Sequence, residues 1–533
     1  MIYKQLKYIG IFSILITIAL FAYGSRKVEN SNEPPPVNQQ PNIIVILTDD
    51  QGYADFSFHD PKEFPASVDV LTPNLEKLAQ TGVYFRNGYV ASSTCGPSRS
   101  SILTGRSSSR FEMEDNINLP KGDTGPPLSE IFIPKIIKQK NYISGAFGKW
   151  HLGGSDLAMF PTGRGFDYYW GEDYLNGSEV NQDYHGYYRE LFMGKGIKNP
   201  PSWTSGEFAV PEYGKYLTDA VTDETLSFIK RNKNNPFFAY VAYHAPHSPF
   251  QTKESLIKRI VKHQPKYQAA YERMKLETDK WEKSGNDRNY YFGKFKGLNL
   301  DQEALRLVYL SMLLSVDDGV GKIVSLLEDE NLLHNTLIFY LSDNGAALAR
   351  PNDLGGVNLP LREGKGTVYD GGVRVPFVMN WKGTLPAGET SDLMVSSMDI
   401  FTTTVELAGA TVPADRVIDG VNLIPYLIGD KKGQTAHEYL FFRRYDRNIY
   451  SIRSGDEKLV RNINVIENEN GKTNKNKYPH SEGSLYNIEN DITELNDISA
   501  KNPKRKSILQ ELYNKNVKIL PPPKRTKKAV RSF

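Results

Sequence analysis

The chain has 533 residues, of which 39% are hydrophobic and 11% aromatic. This composition supports a buried core and excludes wholesale disorder, and the length suits one large domain with a smaller one. The 65 basic and 62 acidic residues leave a net charge of +3, which argues against nucleic acid as the main partner. Because Cys95 is the single cysteine, an internal disulfide is excluded.

The first 24 residues have the pattern of an export signal. Lys4 and Lys7 precede an apolar run at 9–22, and small residues follow at Ala22 and Gly24. We expect cleavage after Gly24, so that residues 25–40, with three consecutive prolines, form a linker. The mature protein is then expected in the periplasm, without stable membrane insertion. Secretion and an uncleaved membrane anchor are the alternatives.

Four apolar runs each end in a polar cluster. The runs cover 42–47, 142–147, 236–243 and 337–341, and they lead into Thr48-Asp49-Asp50, Gly148-Lys149-Trp150-His151, His244-Ala245-Pro246-His247 and Ser342-Asp343-Asn344-Gly345. Strands that are apolar on both faces are typical of a parallel sheet covered by helices. Since ligands bind at the carboxyl ends of such strands, we expect all four clusters to line one crevice.

The segments between these runs complete the predicted architecture. Helical periodicity at 74–81 and 303–330 indicates an α/β fold with a large central, mostly parallel sheet flanked by helices. Residues 155–235 and 251–300 are predicted as irregular insertions that shape a substrate site. Shorter segments from about residue 430, with a last helix near 504–516, predict a smaller C-terminal α+β subdomain. We therefore expect a catalytic domain at 41–428, a C-terminal subdomain at 429–520 and a basic tail at 521–533.

One short segment points to the chemistry. It reads Cys95-Gly96-Pro97-Ser98-Arg99-Ser100-Ser101-Ile102-Leu103-Thr104-Gly105-Arg106. Pro97 suits the first turn of a helix, which places Cys95 near the helix N-terminus, where backbone N–H groups favour an anion. Arg99, one helical turn on, can hold its charge over the same point.

This segment resembles the signature of the formylglycine-dependent sulfatases, a family of the alkaline phosphatase superfamily. The resemblance extends to Gly148–Gly153, to Gly364–Pro376 and to the C-terminal subdomain, and it includes bacterial polysaccharide sulfatases of Bacteroidetes. It implies that a maturation enzyme oxidises Cys95 to formylglycine, whose hydrated aldehyde is the nucleophile. Asp370 and Ala346 depart from the commoner glutamate and glycine, away from the proposed catalytic positions.

The resemblance also implies a metal site and a proton-transfer set. An all-oxygen group suits one calcium ion rather than zinc; its proposed ligands are Asp49, Asp50, Asp343, Asn344 and the formylglycine at position 95. Arg99, Lys149 and Lys365 are expected to offset the sulfate charge. His247 with Lys365 is expected to protonate the leaving oxygen, Asp343 to activate the diol, and His151 to take the proton that regenerates the aldehyde.

The substrate and two rival functions stay open at this point. Aromatic, polar insertions favour a sulfated polysaccharide or oligosaccharide, and the richness in Asn, Lys and Ile suggests an algal one such as ulvan. The first rival is a phosphoester or phosphonate hydrolase of the same superfamily. The second is a non-catalytic glycan-binding protein with unmodified Cys95. His244 ranks below His247, and His185 lies in a presumed substrate loop.

Overall fold

The computed structural model describes most of the chain from residue 40 onward as one compact unit. The described ranges are 40–116, 125–153, 157–172, 216–248, 250–283, 291–292, 301–348, 354–444, 449–462, 465–467, 473–475 and 481–521. The predicted export signal, the linker up to residue 39, His185 and the tail from 522 lie outside them. In the described part, no helix has both the length and the apolar character needed to cross a membrane.

Short and medium strands recur along the whole described chain. They are β1 (Asn42–Thr48), β2 (Val83–Phe85), β3 (Gly88–Tyr89), β4 (Ile143–Lys149), β5 (Tyr168–Glu172), β6 (Phe237–Ala242), β7 (Gln251–Thr252), β8 (Tyr291–Phe292), β9 (Thr336–Ser342), β10 (Phe377–Asn380), β11 (Glu389–Ser391), β12 (Val395–Ser396), β13 (Leu440–Arg444), β14 (Ile449–Ser454), β15 (Glu457–Asn462), β16 (Val465–Glu467), β17 (Thr473–Lys475) and β18 (Ser481–Asn487).

Helices alternate with these strands. They are α1 (Pro73–Gln80), α2 (Cys95–Thr104), α3 (Ile133–Ile137), α4 (Leu217–Asn232), α5 (Glu254–His263), α6 (Gln268–Lys283), α7 (Gln302–Asp329), α8 (Asp370–Val373), α9 (Asp399–Leu407), α10 (Ile424–Ile428) and α11 (Pro503–Lys518). The predicted helices at 74–81, 303–330 and 504–516 are confirmed as α1, α7 and α11, and the four predicted apolar runs are confirmed as β1, β4, β6 and β9.

Eight of the described strands form the central sheet in the order β11-β2-β10-β9-β1-β6-β4-β5. The pairs β1 with β6, β1 with β9, β4 with β5, β4 with β6 and β11 with β2 are parallel, and β10 is antiparallel to both of its neighbours. The prediction of a mostly parallel central sheet is therefore confirmed.

The central strands are buried on both faces, as their continuous apolar runs require. Along β1, Ile44 and Ile46 face one core, whereas Ile43, Val45 and Leu47 face the other. Full burial of each such side chain contributes roughly 1.5–3 kcal/mol. The first core also contains α1, α4, α5 and α7, and the second contains α2, α3 and α9. The helices thus flank the sheet on both sides.

The smaller C-terminal part is an antiparallel sheet, β13-β14-β15-β18, with α11 packed against it. Leu509 of α11 is fully buried against Ile452, Leu459 and Leu485 of the sheet. The predicted C-terminal α+β subdomain is confirmed. Its predicted boundary at 428/429 stays a prediction.

The expectation of irregular structure at 155–235 and 251–300 is wrong for β5, an edge strand of the central sheet, and for α4, α5 and α6. In α5, Leu256, Ile257 and Ile260 are buried in the first core and Val261 packs against it, whereas the opposite face of the helix is polar. This spacing is that of an amphipathic helix and could have been recognised in the sequence, but the polar residues around it favoured an irregular assignment.

Candidate active site

The carboxyl ends of β9, β1, β6 and β4 meet at one edge of the central sheet. These strands are adjacent, so the residues that follow them are neighbours in space. The backbone N–H of Asp343 donates to the Thr48 carbonyl at 2.9 Å, and that of Asp49 donates to the Ala245 carbonyl at 3.3 Å. The structure therefore brings together the polar clusters that follow the four strands.

Cys95 is the first residue of α2 and points into this edge. The preceding residue, Thr94, is extended with φ −137°, and the helix ends at Gly105 with φ +68°. The Cys95 side chain is buried, and its Sγ donates to Asp49 Oδ1 at 3.4 Å. Burial and the carboxylates of Asp343 and Asp49 raise the pKa of the thiol. An unmodified thiol in this place is a poor nucleophile, because the thiolate is the reactive form.

Arg99 links the helix of Cys95 to two of the carboxylates. Its Nε and Nη2 each lie 2.8 Å from Asp343 Oδ2, and Nη2 lies 3.7 Å from Asp49 Oδ2. Nη1 donates to the Lys149 carbonyl at 3.0 Å. All three charged side chains are fully buried. Loss of one partner from such a buried pair costs about 3–5 kcal/mol, so the arginine is part of the framework of the site.

Two lysines pair with the carboxylates that follow β1. Lys149 Nζ donates to Asp49 Oδ2, and Lys365 Nζ lies 2.6 Å from Asp50 Oδ1. Burial opposes ionisation of Asp49, but Lys149 and Arg99 outweigh it and hold the pKa of Asp49 well below its usual range. Burial and the nearby Asp49 carboxylate raise the pKa of Asp343 to about 6, despite Arg99.

Three of the predicted metal-ligand positions, Asp49, Asp50 and Cys95, lie close together, and His247, which was predicted as a proton donor, joins them. One ligand atom from each of Asp49, Asp50, Cys95 and His247 lies within 4.8 Å of the others. Asn344 Nδ2 donates to Asp50 Oδ1 at 2.7 Å, and the Asp50 N–H donates to Asp343 Oδ1 at 3.3 Å. Asn344 Oδ1 is buried and has no hydrogen-bond partner among the described residues. A buried amide oxygen without a partner is costly, and a hard cation would satisfy it.

The histidines that follow β6 differ in their orientation. His247 Nδ1 lies 2.6 Å from the Ser248 carbonyl, so Nδ1 carries the proton of that bond, and Nε2 lies 3.6 Å from Asp50 Oδ2. His244 Nε2 lies 3.2 Å from the same Ser248 carbonyl. Burial holds the pKa of His247 well below its usual range. The positive charges of Lys149 and Lys365 add to this effect, and the Asp49 carboxylate opposes it. His247 is thus the histidine that presents a ring nitrogen to the carboxylate group.

His151 approaches from the end of β4. It has φ +56°, in the left-handed region, and burial, Lys149 and Arg99 hold its pKa well below its usual range. Its carbonyl oxygen would lie 3.2 Å from a Cβ added at Gly96. The predicted residue therefore lies against the helix N-terminus, on the side of Cys95.

Asn116 is a residue of this site that the sequence did not reveal. Its Oδ1 accepts the Gly96 N–H at 2.8 Å, directly beside Cys95. A Cβ at Gly96 would lie 3.0 Å from Met113 Cε and 3.2 Å from that Oδ1, so a larger residue would crowd this wall. Because Asn116 follows neither a strand nor a recognised motif, only a search for polar residues near the nucleophile segment could have found it.

The segment that carries Lys365 is held by the C-terminal sheet. Arg444 Nη1 lies 3.4 Å from the Gly366 carbonyl, Ser451 Oγ donates to the Val368 carbonyl at 2.8 Å, and Lys458 Nζ donates to Asp370 Oδ1 at 2.6 Å. The donors come from β13, β14 and β15, which are consecutive strands. Both parts of the chain therefore build the site.

Comparisons with known proteins identify the family that the chain resembles. The profile of the family described as "Sulfatase" matches residues 41–410, and that of "N-sulphoglucosamine sulphohydrolase, C-terminal" matches 364–520. N-acetylgalactosamine-6-sulfatase of Homo sapiens is 32% identical over 427 residues, covering 76% of this chain and 69% of the relative. Arylsulfatase A of Bos taurus is 30% identical over 437 residues, covering 78% of this chain and 74% of that relative. The structure of Ps i-CgsB in complex with k-i-k-neocarrahexaose superposes with a TM-score of 0.70 at 30% identity, over 92% of this chain and 96% of that one.

Proposed function

The chain belongs to the sulfatase family, and from that premise we propose that it removes sulfate from a sulfated carbohydrate through a formylglycine made from Cys95, beside a calcium ion. As a member of the family it is a sulfuric ester hydrolase. The observation that carries the proposal is the position of Cys95 Sγ at the N-terminus of α2, 3.4 Å from Asp49 Oδ1 and within a group of side chains that could hold a metal ion.

The residues present fit a hard divalent cation. Asp49, Asp50, Asp343 and Asn344 would hold it through oxygen atoms, the donor type that calcium prefers, and the unpartnered Asn344 Oδ1 is one of these oxygens. When bound, calcium supplies positive charge at the ester sulfate oxygens.

The charges of the side chains favour an anionic substrate. Three carboxylates, Asp49, Asp50 and Asp343, are matched by three cations, Arg99, Lys149 and Lys365. A divalent cation would therefore leave the centre with an excess of positive charge, which a sulfate monoester offsets. We propose that the three cations orient the sulfate group.

The proton transfers fall to groups on both sides of the nucleophile. When formed, formylglycine supplies a hydrated aldehyde whose oxygen attacks sulfur. Asp343 takes the proton of that oxygen. His247, with Lys365, delivers a proton from Nε2 to the sugar oxygen as its bond to sulfur breaks. This step needs the imidazolium form, which Asp50 Oδ2, 3.6 Å from Nε2, and the bound sulfate anion would favour. His151, on the helix side, would take the proton of the remaining hydroxyl group, so that the carbon–oxygen bond to sulfate breaks, sulfate leaves and the aldehyde is recovered.

A sulfated polysaccharide fragment is the proposed substrate class. N-acetylgalactosamine-6-sulfatase is named for a sulfated sugar, and Ps i-CgsB binds a neocarrahexaose. Both likenesses support a sulfated carbohydrate, and we propose an algal one, with ulvan and carrageenan oligosaccharides as the first candidates.

A substrate panel tests the reaction class. Matured enzyme should hydrolyse 4-nitrophenyl sulfate and at least one sulfated oligosaccharide faster than 4-nitrophenyl phosphate or a phosphonate monoester, measured by release of nitrophenol, sulfate and phosphate. Faster turnover of the phosphorus esters would replace this proposal with the phosphoester or phosphonate hydrolase.

Mass spectrometry of the Cys95 peptide tests the nucleophile. Protein from its native host should carry an aldehyde at position 95, with the sulfur replaced by oxygen. The Cys95→Ala variant should fold yet lose roughly 10⁴-fold or more of its turnover. The same chain made in a host without a maturation enzyme is the control, and it should carry a thiol and be inactive. A thiol in active native protein would disprove the proposed nucleophile, and a thiol in inactive native protein would favour the glycan-binding alternative.

The leaving group distinguishes the role of His247. His247→Gln should lower turnover of a sugar sulfate by about 10²–10⁴-fold and that of 4-nitrophenyl sulfate much less, because nitrophenolate leaves without a proton. His151→Gln is the comparison, and its loss should be similar on both esters. Equal losses for His247→Gln on the two esters would remove it from the general-acid role.

Export to the periplasm is also proposed, on the basis of the basic and apolar pattern of residues 1–24. N-terminal sequencing of the mature protein should begin at Ser25. An N-terminus at Met1 in membrane-bound protein would instead indicate an uncleaved anchor.

A further inference from the structure

The turn after β1 carries Asp49 and Asp50, and one side chain of α7 contacts its backbone at two points. The Gly52 N–H donates to the Tyr309 hydroxyl at 3.1 Å, and the same hydroxyl lies 3.2 Å from the Asp50 carbonyl. Its own proton goes to that carbonyl or to Asp55 Oδ2, which lies 2.8 Å away. A single buried hydroxyl thus contacts the turn on both sides of Gln51, at the Asp50 carbonyl and at the Gly52 N–H.

This turn is conformationally demanding. Asp50 has φ +62°, in the left-handed region that few residues other than Gly, Asn and Asp adopt. At Gly52, an added Cβ would lie 2.2 Å from the Val357 carbonyl oxygen. The backbone is therefore confined between Val357 on one side and Tyr309 on the other.

The position of this backbone determines where the Asp50 carboxylate lies. Asp50 Oδ1 accepts from Asn344 Nδ2 at 2.7 Å and lies 2.6 Å from Lys365 Nζ. A shift of the Asp50 backbone would displace the carboxylate from both partners at once.

Tyr309 is itself held in place by a buried ion pair. The Asp55 carboxylate accepts from the Tyr309 hydroxyl and from the Val357 N–H, each at 2.8 Å, and it pairs with Arg306, one turn earlier on α7. Asp55 is fully buried and Arg306 almost so. Asp55 and Arg306 therefore hold the Tyr309 hydroxyl in one position.

We infer that Tyr309 is a positioning residue for the metal-binding turn, and that its hydroxyl sets the affinity for calcium by fixing the Asp49–Gly52 backbone. The inference rests on the proposed calcium site, and it goes further by assigning a function to a residue that acts through Asp50. Partners that orient metal ligands in this way are typically worth 10- to 100-fold in metal affinity.

The test is calcium titration of full-length Tyr309→Phe. The substitution removes one oxygen and leaves the Gly52 N–H without its acceptor in a buried place. After chelator treatment, isothermal titration calorimetry should show a calcium affinity about 10- to 100-fold weaker than in the wild type.

Tyr142→Phe is the matched control. The Tyr142 hydroxyl is also buried and donates to the carbonyl of Pro41 at 2.6 Å. Pro41 directly precedes β1, so this bond lies at the end of β1 opposite to Asp49 and Asp50. Its loss should lower the melting temperature without changing calcium affinity. If Tyr309→Phe binds calcium like the wild type, the inference is wrong and the calcium site stands. If the wild type binds no calcium, the proposed site fails and the inference with it.

Hydrogen exchange in the wild type provides a readout that needs no variant. In chelator-treated protein, the Gly52 amide should already exchange slowly, because its hydroxyl acceptor does not depend on the ion. Fast exchange of that amide without calcium would overturn the inference, even if Tyr309→Phe failed to fold.

Discussion

Three carboxylates can lie side by side at one edge of the central sheet because three cations face them. Lys149 and Arg99 balance Asp49, Arg99 also balances Asp343, and Lys365 balances Asp50. Charges taken out of water cost several kcal/mol each unless they are paired. The cluster is therefore close to neutral by itself. A divalent cation would make it positive, and the positive cluster would then attract an anion.

The sheet provides the spacing that such a cluster needs. Neighbouring strands lie about 4.8 Å apart, so residues that follow β9, β1, β6 and β4 come within contact of one another without long loops. Cys95 arrives differently, at the N-terminus of a helix packed on one face. The Cys95 thiol contacts Asp49 and the Arg99 side chain contacts Asp343, so one helix fixes both the thiol and the positive charge beside it.

Much of this could be predicted from the sequence, because the signals are local. Continuous apolar runs identify buried parallel strands, and the segment from Cys95 carries its own motif. Asn116 and Tyr309 could not be predicted, because their roles arise from contacts 20 and about 260 residues away along the chain. Neither has a neighbour in sequence that distinguishes it from an ordinary loop asparagine or core tyrosine. The helix α5 was missed for a different reason, because its amphipathic pattern is short and lies within a segment dominated by polar residues.

The two sides of the site depend on different supports. The turn with Asp49 and Asp50 is braced by α7, through Tyr309 and Asp55. The segment after Lys365 is braced by three consecutive strands of the C-terminal sheet, which bond positions 366, 368 and 370 in turn. Lys365 and Asp50 meet at 2.6 Å, so this ion pair is where the two supports join. A disturbance of α7 reaches the carboxylates first, whereas a disturbance of the C-terminal sheet reaches the lysine first. The smaller sheet is thus part of the framework of the site, although it lies far along the chain from Cys95.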